Sequence, residues 1–238
     1  SCTQATQGST SSSGPDLEGH SRKNTDGHPG PGTVPPMSGP PTYPITVQMP
    51  VDDEQRNRWL AASGIVLIKL ILLLPHILLL FLFGLMIQIL AWIGYWGIAF
   101  TDRLPDPIRR LEVIFLAWIT RVVAWFAGTT DVYPTFGTDQ DYPVTVTVEP
   151  APVPQNRLLA VLGIFLLRTI AALPHLAILF LMSFGVLLVA WVGYVIVVFT
   201  GQLPLGIHEF ILNYQRWWAR AWGWTVALTD EYPPFTLA

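Results

Sequence analysis

The sequence predicts an all-α membrane protein built from two tandem two-helix transmembrane hairpins, four spans in all. Each hairpin is preceded by a short β-strand and followed by an interfacial amphipathic helix. Three observations lead there. The 238 residues are 51% hydrophobic and only 12% charged, about half the ~25% charged share of a soluble domain. The apolar residues gather in two dense blocks, 60–100 and 158–199, a distribution foreign to disordered chains and ordinary soluble enzymes. The chain also matches itself without a gap: residues 43–139 align with 142–238, and 35 of the 97 pairs are identical. Self-similarity at that level reads as a tandem duplication.

Three segments follow from this in order. The first 42 residues hold seven Gly, seven Pro and seven Ser, too little apolar surface to offset ordering entropy, and read as a disordered tail. Met37 stands near its end, which would make residues 1–36 an upstream extension. Residues 43–139 form the first membrane repeat and residues 142–238 the second. A strand opens each repeat: Ile45, Val47 and Met49 alternate with Thr46 and Gln48, and Val144, Val146 and Val148 with Thr145 and Thr147. Related by a two-fold axis along the membrane normal, these strands would run antiparallel on the cytoplasmic surface.

Block 60–100 would make roughly 62 Å of helix at about 1.5 Å per residue, twice a bilayer core of about 30 Å. It should therefore cross twice. Pro75, and Pro174 in the second block, cannot donate a backbone hydrogen bond and offer one corner; Gly84 and residues 183–185 offer another. The third segment of the second repeat carries an aromatic stripe (Phe210, Tyr214, Trp217, Trp224) beside a polar one (Glu209, Asn213, Arg216, Arg220). That is the pattern of a helix lying in the interface, and residues 111–128 are assigned likewise. Arginines such as Arg56, Arg58, Arg103, Arg109, Arg110 and Arg157 flank the blocks on the side of the termini, which the positive-inside rule makes cytoplasmic.

The chain's charge is −3, from thirteen basic and sixteen acidic residues, with no basic face for nucleic acid. Cys2 is the one cysteine, so no internal disulfide forms. No nucleophile elbow, phosphate loop or paired acid is visible, and the chain is read as a non-enzyme without a cofactor.

Both repeats carry the bookends Tyr-Pro-x-Thr-Val (Tyr43, Tyr142) and Thr-Asp-x-Tyr-Pro-x-Phe (Thr130 to Phe136, Thr229 to Phe235). Between them lie Pro-His (Pro75-His76, Pro174-His175) and Phe-Thr-x-x-Leu-Pro (Phe100, Phe199). Together these resemble a bacterial, largely actinobacterial, membrane family catalogued as a domain of unknown function, DUF4389, here over residues 43–238 as two copies. The first copy departs from the pattern at Thr135, where the second has Pro234. The resemblance implies an integral membrane protein of the bacterial inner membrane and brings no catalytic residue.

Four sets of residues are candidates. Lys69 and Arg168 are cations inside apolar blocks that contain no Asp or Glu. They would snorkel, cap carbonyls freed by Pro75 and Pro174, or bind an anionic lipid or a partner's carboxylate. Arg121 and Arg220, at matching places in the amphipathic segments, join them as lipid- or partner-binding candidates. His76 and His175 could meet across the two-fold axis as paired ligands, or pack at a helix corner. Asp131-x-Tyr133 and Asp230-x-Tyr232 read as turns ending the interfacial helices. The function expected is a non-catalytic scaffold or accessory subunit in the lipid bilayer. A transporter or channel for a small or lipidic solute and a cofactor-binding protein using the Pro-His pair are the alternatives.

Overall fold

The computed structural model describes residues 43–51, 55–136 and 142–237; the tail read at residues 1–42 lies outside them. The described chain is mostly helical. Its element order runs twice: β1 (Ile45–Gln48), α1 (Arg58–Ile65), α2 (Ile68–Thr101) and α3 (Asp106–Phe126), then β2 (Thr145–Val148), α4 (Arg157–Ile164), α5 (Leu167–Thr200) and α6 (Leu205–Thr225).

Asn57 starts α1, its side-chain oxygen accepting from the Trp59 and Leu60 amides at 3.0 and 3.2 Å. Asn156 does the same for α4, through Leu158 and Leu159 at 2.9 and 3.3 Å. An Asn at this position satisfies amides that have no partner inside the helix. Both short helices then break at a leucine in the left-handed region, Leu67 (φ 60°) and Leu166 (φ 61°).

Each apolar block next holds one continuous 34-residue helix that runs straight through its proline. The two hairpins expected inside the blocks, and with them the four spans, are therefore corrected. An interior proline sacrifices one helical hydrogen bond. Reversing the chain at Leu74 would strip partners from several backbone groups at once, among leucines that offer none in return. The chain reverses instead at residues 102–105, where Asp102 takes φ 61° and its counterpart Gly201 takes φ 78°. Pro105 and Pro204, which lack an amide to satisfy, then lead into α3 and α6.

From there α3 runs back antiparallel along α2. Residue numbers fall on one helix as they climb on the other: Lys69 meets Trp125, His76 meets Trp118, Phe83 meets Phe115 and Gly94 meets Ile108. The same packing joins α6 to α5. The strands β1 and β2 pair antiparallel, Ile45 opposite Val148 and Gln48 opposite Thr145.

The two halves are interlaced. Short helix α1 packs on α5 and α4 on α2, while β1 lies on α6 and β2 on α3. Close approach depends on two glycines. A Cβ at Gly64 would stand 2.6 Å from the Tyr194 ring, and one at Gly163 2.6 Å from the Tyr95 ring.

Both long helices are long and apolar enough to cross a membrane, and only 22% of the 18-residue apolar window of each is buried. On α2 the buried residues Lys69, Leu73, His76, Leu80, Ile87, Ala91, Gly94 and Ile98 recur mainly at three- and four-residue intervals, one narrow stripe. The rest of the helix exposes large apolar side chains, among them Ile71, Leu78, Phe81, Leu85 and Ile89.

The glycine contacts make a controlled comparison. Gly163→Ala must push the Tyr95 ring aside and is expected to cost about 1–3 kcal/mol, as overpacking does. Gly185 in α5 has nothing within 4 Å of a new Cβ, so Gly185→Ala should leave stability unchanged or raise it by up to about 1 kcal/mol. Thermal unfolding of the two variants in the same detergent checks both signs.

Candidate functional site

The residues singled out from the sequence gather into two equivalent clusters, one in each half, where the end of the amphipathic helix returns to the start of the long one. Their chemistry follows from backbone carbonyls near helix ends and prolines.

In the first cluster the Lys69 Nζ donates to the Trp125 carbonyl at 3.0 Å, in the last turn of α3. The ammonium stands 4.8 Å from the Trp125 ring and 4.8 Å from the ring of Tyr194, contributed by the other half. A cation here meets the negative end of the helix dipole and two aromatic faces together. In the second cluster the Arg168 guanidinium lies 4.8 Å from Trp224 and 5.9 Å from Tyr95. It donates to the Thr229 carbonyl and stands 3.5 Å from an Asp230 oxygen. Both cations are 1% exposed. Carbonyl capping was among the roles read from the sequence, but the carbonyls capped lie at the end of α3 and in the turn after α6, not at the proline turns.

Those turns are served by the tyrosines of the second bookend. Tyr133 donates its hydroxyl to the Leu72 carbonyl at 2.9 Å, three residues before Pro75. Tyr232 donates to Ala171 at 2.9 Å, three residues before Pro174. The bookend aspartates reach the short helices: Asp131 accepts from the Asn57 amide at 2.6 Å and Asp230 from Asn156 at 2.8 Å.

His76 and His175 each sit in an aromatic box of their own half. The Trp118 indole donates to His76 Nδ1 at 3.1 Å, and Phe136 stacks on the ring with centroids 4.0 Å apart. Trp217 and Phe235 treat His175 alike, at 3.0 and 3.8 Å. An indole N–H aimed at Nδ1 requires that nitrogen to be the acceptor, so the ring proton sits on Nε2. In this tautomer neither nitrogen keeps a lone pair for a metal, and the two imidazoles are held in separate boxes. No cluster of metal-ligating residues occurs among the described residues.

Arg121 and Arg220 anchor the first bookend. The Arg121 guanidinium lies 5.1 Å over the Tyr142 ring and that of Arg220 5.7 Å over Tyr43. The Tyr142 hydroxyl donates to Val132 and the Tyr43 hydroxyl to Glu231, both at 2.8 Å. Burial pushes both phenols well above their usual range.

The structure adds residues that the sequence reading passed over. Tyr95 and Tyr194 complete each cation's cage from the opposite half, and their signal was present in the run Ala-Trp-x-Gly-Tyr shared by both repeats. Glu112 had no such signal. Its counterpart is Ile211, yet it is fully buried on α3 with neither carboxylate oxygen hydrogen-bonded among the described residues. Burial raises its pKa well above the ordinary value, against an opposing pull from Arg168 and Arg109.

A family model described as a domain of unknown function, DUF4389, matches residues 164–236, from the end of α4 to the final turn. No curated protein and no solved structure matches the chain.

Two measurements test these assignments. Tyr232→Phe removes the hydroxyl that donates to the Ala171 carbonyl and should cost about 0.5–1.5 kcal/mol. Thermal unfolding of Tyr232→Phe and Tyr133→Phe beside the parent checks it; an unchanged melting temperature in both would refute the role given to the hydroxyls. For Glu112 the folded pKa lies above the unfolded one, so the folded state binds the extra proton between them and stability falls as pH rises through that window. Glu112→Gln should raise the melting temperature at neutral pH and flatten its decline above about pH 5.

Proposed function

We propose that this chain is an integral membrane protein with a non-catalytic role, a scaffold or accessory subunit of a membrane assembly. The observation that carries the reading is the surface of α2 and α5. Apart from one buried stripe, each helix presents leucine, isoleucine, phenylalanine and tryptophan over most of its circumference. A helix apolar all round belongs in a protein core or in lipid, and protein covers only one side of these two. Lipid is the solvent that matches the remainder.

The non-catalytic part rests on how the polar residues are used. Lys69 and Arg168 cap carbonyls, the imidazoles accept from indoles, and Asp131 and Asp230 hold the short helices. Each of these contacts is structural, which favours a structural over a catalytic use of these side chains. The sheet and the arginine-bearing faces of α3 and α6 are the surfaces offered to partners. The excess of arginine around the apolar helices favours the cytoplasmic face for them and for both termini.

The membrane reading predicts that the full chain stays with membranes through an alkaline carbonate wash and leaves only with detergent; release into the soluble fraction would overturn it. The scaffold reading predicts a partner protein after gentle extraction, identified by mass spectrometry. Solute movement by the partner-free protein in liposomes would overturn that half.

A further inference from the structure

The position of the two-stranded sheet fixes how the long helices can lie in lipid. It rests along α3, from Arg109 in the first turn to Arg121, and on the middle of α6 at Arg216. Arg109 of α3 donates to the Val148 carbonyl at 3.0 Å and Arg216 of α6 to Val47 at 3.0 Å. A 420 Å³ groove between α3 and β2 is lined by Val113, Ala117 and Arg121 on the helix side. Ile45 of β1 would touch a Cβ at Gly223. The α2 contacts of α3 come from a different set, Ile108, Phe115, Trp118 and Trp125. On a helix of 3.6 residues per turn these two sets occupy different faces, so sheet and long helix lie on different sides of α3.

The long helices also run in opposite directions beside one another's ends. The Arg56 amide at the start of the first half donates to Gly201 at the end of α5, at 2.8 Å. The Gln155 amide does the same to Asp102 at the end of α2, also at 2.8 Å.

If α2 and α5 stood across a bilayer, α3 and α6 packed along them would stand too. The sheet would then fall near mid-membrane, with Gln48, Thr145 and Thr147 exposed and strand edges open to lipid. Open edges leave backbone groups unsatisfied there, and an arginine at that depth, as Arg216 would be, costs about 2.5–3.5 kcal/mol. Laid flat, the same molecule separates into layers: the sheet in water, α3 and α6 with their arginines at the headgroups, α2 and α5 beneath. A helix is about 10–12 Å across with its side chains, which fits within one leaflet of a core about 30 Å thick. A 34-residue helix measures about 51 Å at 1.5 Å per residue, a length that matters only for crossing.

We infer that α2 and α5 lie along the bilayer within the acyl region of one leaflet, carrying the sheet on the aqueous side, and do not cross the membrane. This rests on the membrane reading above. It is tested with the full chain in sealed native membrane vesicles of both orientations, with Cys2→Ser as background and a membrane-impermeant maleimide as probe. Single cysteines are placed at the start of α1, ahead of α2 (Arg58→Cys), just past the end of α2 (Arg103→Cys), in the sheet (Thr147→Cys) and mid-helix (Leu85→Cys). The first three should react from the same face, and Leu85→Cys from neither. Labelling of Arg58→Cys and Arg103→Cys from opposite faces overturns the inference, as does labelling of Leu85→Cys from the face opposite the other three. A chain recovered in the soluble fraction instead overturns the membrane reading itself.

Discussion

Backbone carbonyls without water are the constraint on which this structure depends. Helix α3 ends, and α2 carries an internal proline, beside surfaces made of leucine and isoleucine. Each freed carbonyl must find a donor from the chain. Lys69 supplies a donor at the end of α3 and Arg168 one in the turn after α6, while Tyr133 and Tyr232 donate beside the carbonyls that Pro75 and Pro174 leave free. Because these donors come from segments distant in sequence, satisfying the backbone also joins the elements. The start of the long helix is tied to the end of the amphipathic one, and the turn after the amphipathic helix is tied to the second turn of the long one.

Much of this was legible, in an uneven way. Residues identical between the halves mark the clusters well: Pro-His, Trp118 and Trp217, Trp125 and Trp224, and the Asp-x-Tyr-Pro-x-Phe turn all converge. Their roles were harder to read. An Asp-x-Tyr turn announces a reversal, but nothing local says that its tyrosine reaches a proline 58 residues earlier in the chain. The long helices were misread for a physical reason. A 41-residue apolar run measured against bilayer thickness demands two crossings only if the helix stands upright, and Pro75 supplied a plausible corner. The energetic comparison runs the other way, since one lost hydrogen bond costs less than an uncapped reversal among leucines. The polar residues 102–105, where caps are available, were the better place to look.

The halves differ where a symmetric sequence reading would expect them to agree. Arg216 tethers β1 to α6 through Val47, whereas the matching residue on α3 is Ala117, too short to reach β2. The groove beside β2 is lined by Ala117, and the β2 residues are more exposed than those of β1. Glu112 against Ile211 is a second case: one half buries a carboxylate where the other buries a methyl-rich side chain. Lys69 against Arg168 is a third. The compact ammonium caps one carbonyl, while the forked guanidinium reaches both a carbonyl and Asp230.

Hydropathy alone treats a helix that crosses a membrane and one that lies within a leaflet as the same object. Both are long, apolar and uncharged, and both pass the same composition test. What separates them is the location of the groups that cannot enter lipid. In this fold such groups cluster at helix ends, as any crossing helix allows, but also beside the helix middle, where Arg216 and four exposed or half-exposed strand residues sit on α6 and α3. A crossing helix tolerates polar ends and forbids a polar flank. A flat one tolerates a polar flank along its whole length, provided that flank faces water. The antiparallel arrangement of α2 and α5 matters for the same reason, because it turns every polar flank of the two halves toward one side.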